Sequence, residues 1–186
     1  MVRDIIQKRR AYRSLAPAEI TRELIEDLAE SARLAPSCFN NQPWRYVFVH
    51  DDSMLEKMHE ALTDGNKWAT AASMIIAVYC REDDDCVIHD RIYHRFDTGL
   101  ATAFLILRAT ELGLVAHPIA GYSPSKVSDI LGIPDGYQVI TLVIVGRHAD
   151  DLSPLLTDKQ RAVESERPER KPFDAVASIN HYEPPE

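Results

Sequence analysis

Ser37, Asn40, Asn41 and Gln42 crowd neutral hydrogen-bonding groups into one stretch, Ala35-Pro36-Ser37-Cys38-Phe39-Asn40-Asn41-Gln42-Pro43-Trp44. Many donors and acceptors without charge suit a flat, polar-edged heterocycle better than an ion. Pro36 and Pro43 bracket the set, so the stretch reads as a helix stop followed by an extended entry into a strand. A plain structured loop, with Asn and Gln as turn residues, accounts for these residues equally well. A second group lies in Lys8-Arg9-Arg10-Ala11-Tyr12-Arg13, with three arginines inside five residues. Guanidinium groups match phosphate oxygens in a bidentate way. In a chain of net charge −8, this local cationic knot asks for an anionic partner. A solvated basic helix end is the commoner fate of such a pair.

Other constellations carry less. His89 and His94 are five residues apart, about 140° around a helix, so with Asp90 and Cys86 they present no shared metal-binding face. The H-E-x-x-H spacing is missing, and no metal is expected. Asp83-Asp84-Asp85 reads as a solvated loop, because consecutive acids splay apart on extended backbone. Cys38 has no histidine nearby in sequence and reads as a packing residue. Trp68 reads either as an aromatic lid on a substrate pocket or as a core tryptophan.

These groups must be positioned by regular elements. Ile5 and Ile6 start a short helix that delivers the arginines. Thr21 is an N-cap, and Leu24, Ile25, Leu28, Ala29 and Ala32 recur at helical spacing. Residues 46–50 read as a strand, 53–62 as a helix, and 74–79 as a strand buried on both faces. The longest helix is expected over 91–112, apolar nearly all round between Leu100 and Leu107, with Gly113 as its C′ residue. Such a helix needs cover on every side, part of it from a second copy. Strands follow at 115–119 and 139–145. From Asp150 the chain turns polar and proline-bearing, without periodicity, as a disordered tail or an arm that folds onto a partner. The expected fold is α+β, a mixed but mainly antiparallel sheet flanked by helices. Residues 1–186 form a single domain, with 150–186 as the C-terminal arm.

A length of 186 residues, 45% hydrophobic and 27% charged, fits one soluble globular domain. The acidic balance argues against nucleic acid and against an anionic membrane surface. No signal peptide or transmembrane run is apparent. Three cysteines, odd in number and without metal spacing, fit reduced thiols in the cytoplasm. Neither G-x-G-x-x-G nor a P-loop is present, so a glycine cradle for phosphate is not expected.

The Pro36–Trp44 stretch resembles the Ala-Pro-Ser…Asn-x-Gln-Pro-Trp signature of the nitroreductase family of FMN-dependent oxidoreductases. The arginine segment resembles the family's Arg-Arg-Ser-x-Arg element, with Ala11 in place of Ser. Further likenesses follow in order: Asp97-Thr98-Gly99-Leu100-Ala101 at the head of the long helix, His117-Pro118-Ile119-Ala120-Gly121-Tyr122, Ser125 to Pro134, Val139 to Gly146, and Glu166 to Phe173. The resemblance implies a homodimer that binds FMN and passes hydride from NAD(P)H to a small organic acceptor by ping-pong kinetics. It assigns the flavin phosphate to Arg9, Arg10 and Arg13, with Arg170 or Lys171, and leaves Ala11 a backbone contact. Ser37 and Asn40 would meet the ring across the dimer interface, and Pro36 and Gln42 would also bind the cofactor. Asn66, Pro118, Ala120 and Gly121 would line the flavin, with a backbone N–H near Ala120 or Gly121 directed at its N5. Trp68 would face the substrate. No catalytic acid or base is implied. A flavin-sequestering protein with little turnover is the alternative, and a regulatory domain for another phosphate ligand is a third reading.

Overall fold

Thirteen elements follow one another in a computed structural model that describes residues 1–184. They are α1 (Val2–Lys8), β1 (Leu15–Ala16), α2 (Arg22–Arg33), β2 (Arg45–Val49), α3 (Asp52–His59), β3 (Met74–Cys80), β4 (Val87–Ile88), β5 (Arg91–Ile92), α4 (His94–Glu111), β6 (Val115–Ile119), α5 (Pro124–Leu131), β7 (Gln138–His148) and α6 (Asp158–Glu164). Their starts follow local chemistry. Thr21 accepts from the Leu24 N–H to cap α2, and Ser123 does the same for α5 with Pro124 at the first helical position.

The sheet is built on β7, which pairs with β3, β6 and β1, while β2 pairs with β3; every pairing is antiparallel. Side chains alternate along a strand, so β3 and β7 feed two cores at once. Ile75, Ala77, Val139, Leu142 and Ile144 face a layer made by α3, α5 and the 3₁₀ segment Asp64–Ala71. Met74, Ile76, Val78, Val143 and Val145 face α2 and α4 through Leu28, Ala32, Ala101, Leu105 and Ala109. Arg108 Nη2 pairs with Asp27 Oδ2 at 2.6 Å and ties those two helices together.

Three expectations need correction. The long helix begins at His94, because Arg91–Ile92 is spent in a hairpin with Val87–Ile88. Within one chain its outer face leaves Phe96 62% and Phe104 41% exposed. The segment after Asp150 contains α6, started by a capping box between Thr157 and Gln160, and it buries Leu156 and Glu164. Cys38 and Cys86 are joined in a disulfide, Cα atoms 6.2 Å apart, and only Cys80 remains a free thiol. The loop after α2 and the turn before β4 both come to the head of α4, which brings two cysteines together that the sequence separates by 48 residues.

Among the described residues, no helix is long and apolar enough to cross a membrane.

Candidate functional site

Arginine convergence defines the main site. Arg9, Arg10, Ala11 and Arg13 line a cleft of about 260 Å³ together with Val163, Arg167, Pro168 and Arg170. Burial lowers the Arg9 pKa, and the like charges of Arg167, Arg170 and Arg10 lower it further. Among the described residues, Arg9, Arg10, Arg13 and Arg170 form no ion pair with a carboxylate. Crowded cations around an open cleft are relieved by an anion with several oxygens. Lys171 is exposed and does not line the cleft.

The cleft is braced by residues that the sequence reading passed over. Glu164 Oε1 accepts from the Arg13 and Ser14 N–H groups, each at 2.7 Å, and its carbonyl accepts from Arg10 Nη2 at 3.1 Å. Arg167 Nη2 donates to the carbonyls of Gln7 and Arg9. The Thr157-x-x-Gln160 capping box was the legible signal for the helix that carries Glu164.

Beneath the arginines lies a stack. The Arg13 guanidinium sits 5.9 Å from the Trp68 ring centroid, and Trp68 stacks on His117 at 4.8 Å. Trp68 has no exposed surface, which corrects its assignment to the substrate: it is a core residue under the cleft. His117 Nδ1 meets the Tyr12 carbonyl at 3.0 Å, and burial, aided by Arg13 and Arg9, pushes its pKa down to about 4. The ring is therefore neutral near pH 7 and donates from Nδ1.

The Gly121 carbonyl accepts from the Thr63 N–H at 3.1 Å, Thr63 Oγ1 at 3.0 Å and Asn66 Nδ2 at 3.0 Å. Asn66 Oδ1 accepts in turn from Trp68 Nε1 at 3.1 Å. Both ends of the Asn66 amide are thus engaged internally, and the residue reaches the site by holding Gly121. A Cβ on Gly121 would lie 2.6 Å from Thr63 Oγ1 and closer still to Asn66 Nδ2. Close approach does require glycine here, and the approaching groups are the protein's own. Pro118 and Ala120 are exposed beside it.

The Ser37–Gln42 loop is a separate constellation. Phe39, Asn40 and Gln42 have φ of 47°, 60° and 53°, a costly sequence for residues with side chains. Ser37 Oγ accepts from the Gln42 N–H at 3.0 Å, and Gln42 Nε2 donates to the Asn40 carbonyl at 3.1 Å. Ser37 keeps its O–H free to donate, and Asn40 is exposed. Pro36, Ser37 and Cys38 line an apolar cleft with Tyr93, Phe96 and Asp97, distinct from the arginine cleft within one chain. Cys38, Cys86 and Asp85 bring three potential metal donors within 4.8 Å of one another. With the two sulfurs bonded to each other, they are not thiolate ligands.

The nitroreductase family profile matches residues 6–84 and 65–147, and the chain belongs to that family. An Archaeoglobus fulgidus protein named as an NADH dehydrogenase/NAD(P)H nitroreductase is 31% identical over 153 residues, covering 79% of this chain and 85% of its own. A Thermus thermophilus NADH dehydrogenase is 25% identical over 175 residues, covering 77% of this chain and 85% of its own. A crystal structure described as an oxidoreductase containing FMN superposes with a TM-score of 0.85 at 29% identity, over 97% of this chain and 92% of that one.

Proposed function

We propose that the protein is an FMN-dependent NAD(P)H oxidoreductase that reduces a small organic acceptor such as a nitroaromatic or a quinone. The class follows from the family and from relatives named for NAD(P)H reactions. FMN is supported by the FMN-containing structural relative and, within this chain, by the arginine cleft. That cleft is the observation that carries the reading: it offers several guanidiniums to a phosphate and no glycine-rich turn for a second nucleotide. When bound, FMN supplies a two-electron carrier between nicotinamide and acceptor.

The chain's own residues do the rest. Arg9, Arg10, Arg13 and Arg170 neutralise the phosphate, with Ala11 contributing backbone. Glu164 and Arg167 fix the arginine segment from behind. Asn66 and Thr63 hold the Gly121 backbone in one position, which keeps the cofactor face of that loop preorganised. Ser37, Asn40 and Gln42 supply neutral hydrogen-bonding groups for the ring from a second copy. Reductant and acceptor occupy one pocket in turn, which yields ping-pong kinetics. NAD(P)H supply favours a cytoplasmic location.

The homodimer is part of the same proposal. Phe96 and Phe104 remain exposed on α4, and Phe173, Val176, Ile179 and Tyr182 recur every three residues along the tail, each about two-thirds exposed or more. Those two apolar surfaces lack cover within one chain, and a second copy supplies it. The arginine cleft and the Ser37–Gln42 loop then meet across the interface.

Heating the purified protein and chromatographing the released flavin tests the cofactor. FMN is expected; FAD, or no flavin after reconstitution, overturns the reading. Bleaching by NAD(P)H followed by reoxidation with an acceptor separates an enzyme from a sequestering protein.

A further inference from the structure

The Cys38–Cys86 bond fastens two segments that have few other ties. One is the 37–42 loop with its three residues of positive φ. The other is the β4–β5 hairpin, which forms a small sheet of its own and leaves Val87 and Ile92 about half exposed. Beyond the disulfide, Asn41 Nδ2 reaches Asp85 Oδ1 at 3.3 Å, and the Cys38 N–H donates to Asp97 Oδ2 on α4 at 2.6 Å.

Access and proton bookkeeping distinguish this bond from a buried cross-link. Within one chain Cys38 and Cys86 are each only partly buried, Cys38 beside an apolar cleft of about 400 Å³ that Phe39, Tyr93 and Phe96 line. Cys80, by contrast, is wholly buried. Asp85 lies within 4.8 Å of both sulfurs, yet its Oδ2 is buried without a hydrogen-bond partner. The neighbouring Asp97 is 2% exposed, and burial, followed by the charge of Asp85 and a hydrogen bond to it, raises its pKa. A disulfide has no proton to offer these carboxylates, whereas two thiols bring two S–H donors. Reduction thus adds two S–H donors beside the Asp85–Asp97 pair, which favours the dithiol form.

We propose that Cys38 and Cys86 form a reversible redox modification site, oxidised by hydroperoxides and reduced by small thiols, that sets the order of residues 37–42 and 86–93. On oxidation, one thiolate attacks a peroxide oxygen and becomes a sulfenic acid, releasing the alcohol or water. The second thiol then displaces the sulfenic oxygen as water and closes the S–S bond. Two thiols and one hydroperoxide thus give one disulfide, one alcohol (or water) and one water. On reduction, a small thiol opens the bond by exchange, a second releases the mixed disulfide, and two protons return to the two sulfurs. The assignment does not depend on what the arginine cleft binds.

The test equilibrates the full-length protein in glutathione buffers of graded ratio, alkylates it under denaturing conditions, and counts labelled cysteines by mass. Hydrogen exchange is followed on the same samples. Of the three cysteines, one should be labelled in oxidising buffer and all three in reducing buffer, with the midpoint inside the glutathione range. Amides of 38–42 and 86–93 should exchange about tenfold faster when reduced, as expected for local opening. Hydrogen peroxide added to the reduced protein should restore the single-label state. Cys80→Ser should leave both responses intact. Three labelled thiols in every buffer, a bond that glutathione never opens, or exchange unchanged on reduction would each overturn the proposal. The wild-type measurements decide the matter even where a cysteine variant fails to fold.

Discussion

Glu164 accepts from the backbone of Ser14 at 2.7 Å although 150 residues separate them. The same oxygen accepts from the Arg13 N–H, so one carboxylate on a short C-terminal helix fixes the backbone of the arginine segment. Its burial makes the contact consequential, because truncation leaves two N–H groups without partners away from water. Glu164→Ala should cost about 2–6 kcal/mol, from about 1–3 kcal/mol for each orphaned group. Glu164→Gln keeps an accepting oxygen and should cost less. Denaturant titration of both variants checks the ordering; a Glu164→Ala variant within about 0.5 kcal/mol of the parent would remove the brace from the account.

The arginines are expected to divide by role. Arg13→Ala and Arg170→Ala each delete a charge-assisted hydrogen bond worth about 1.5–3 kcal/mol, so FMN affinity should fall roughly ten- to a hundredfold. Lys171→Ala, outside the cleft, should change affinity by much less. Fluorescence titration with FMN measures all three. Equal losses at Arg170 and Lys171 would contradict the cleft as drawn.

His117 makes stability depend on acidity. Its pKa is held down to about 4 in the folded state, against about 6.5 for an ordinary histidine. Between those values the unfolded chain binds more protons, so stability falls as pH drops through that window and levels off below it. The full effect is about 3.5 kcal/mol at most, using about 1.4 kcal/mol per pKa unit. His117→Gln should flatten the stability profile between about pH 6.5 and 4 relative to the parent. Urea melts across that range provide the comparison, and parallel profiles would place the acid sensitivity elsewhere.

Gly121 and Asn66 should behave as a coupled pair. Gly121→Ala forces a methyl into Thr63 Oγ1 and Asn66 Nδ2 and should destabilise by about 1–3 kcal/mol through overpacking. In an Asn66→Ala background the same change should cost measurably less, because one obstructing group is gone. A double-mutant cycle by thermal melting gives the coupling. Strict additivity would mean that the loop yields without resistance from Asn66.

Complementation tests the proposed dimer. Mixed dimers of an Arg13→Ala chain and an Asn40→Ala chain should regain one intact site, while each parent homodimer stays impaired. A monomer by sedimentation that holds FMN at full activity would refute the shared site.

The strands were legible because apolar runs such as Met74 to Tyr79 are long and bounded, and Thr21 announced its helix through a cap that the structure bears out. The arginine segment was legible because its charge contradicts the acidity of the chain around it. Contacts made at long range were not. Nothing in local spacing pairs Cys38 with Cys86 or Ser14 with Glu164, since each depends on where distant loops finish. Trp68 was ambiguous for the same reason: only its neighbours His117 and Arg13, remote in sequence, show which way it faces.

The brace between Glu164 and residues 13–14 also sets a clock on biosynthesis. The arginine segment leaves the ribosome well ahead of the groups that shape its cleft, since Ser14 and Glu164 are 150 residues apart. At about 5–20 residues per second, the nascent N-terminal cations wait on the order of 10 s or more before Glu164 and Arg167 are even synthesised. The cleft therefore takes shape only once Glu164 and Arg167 are made, and a chain stalled short of residue 164 would carry the arginines without it.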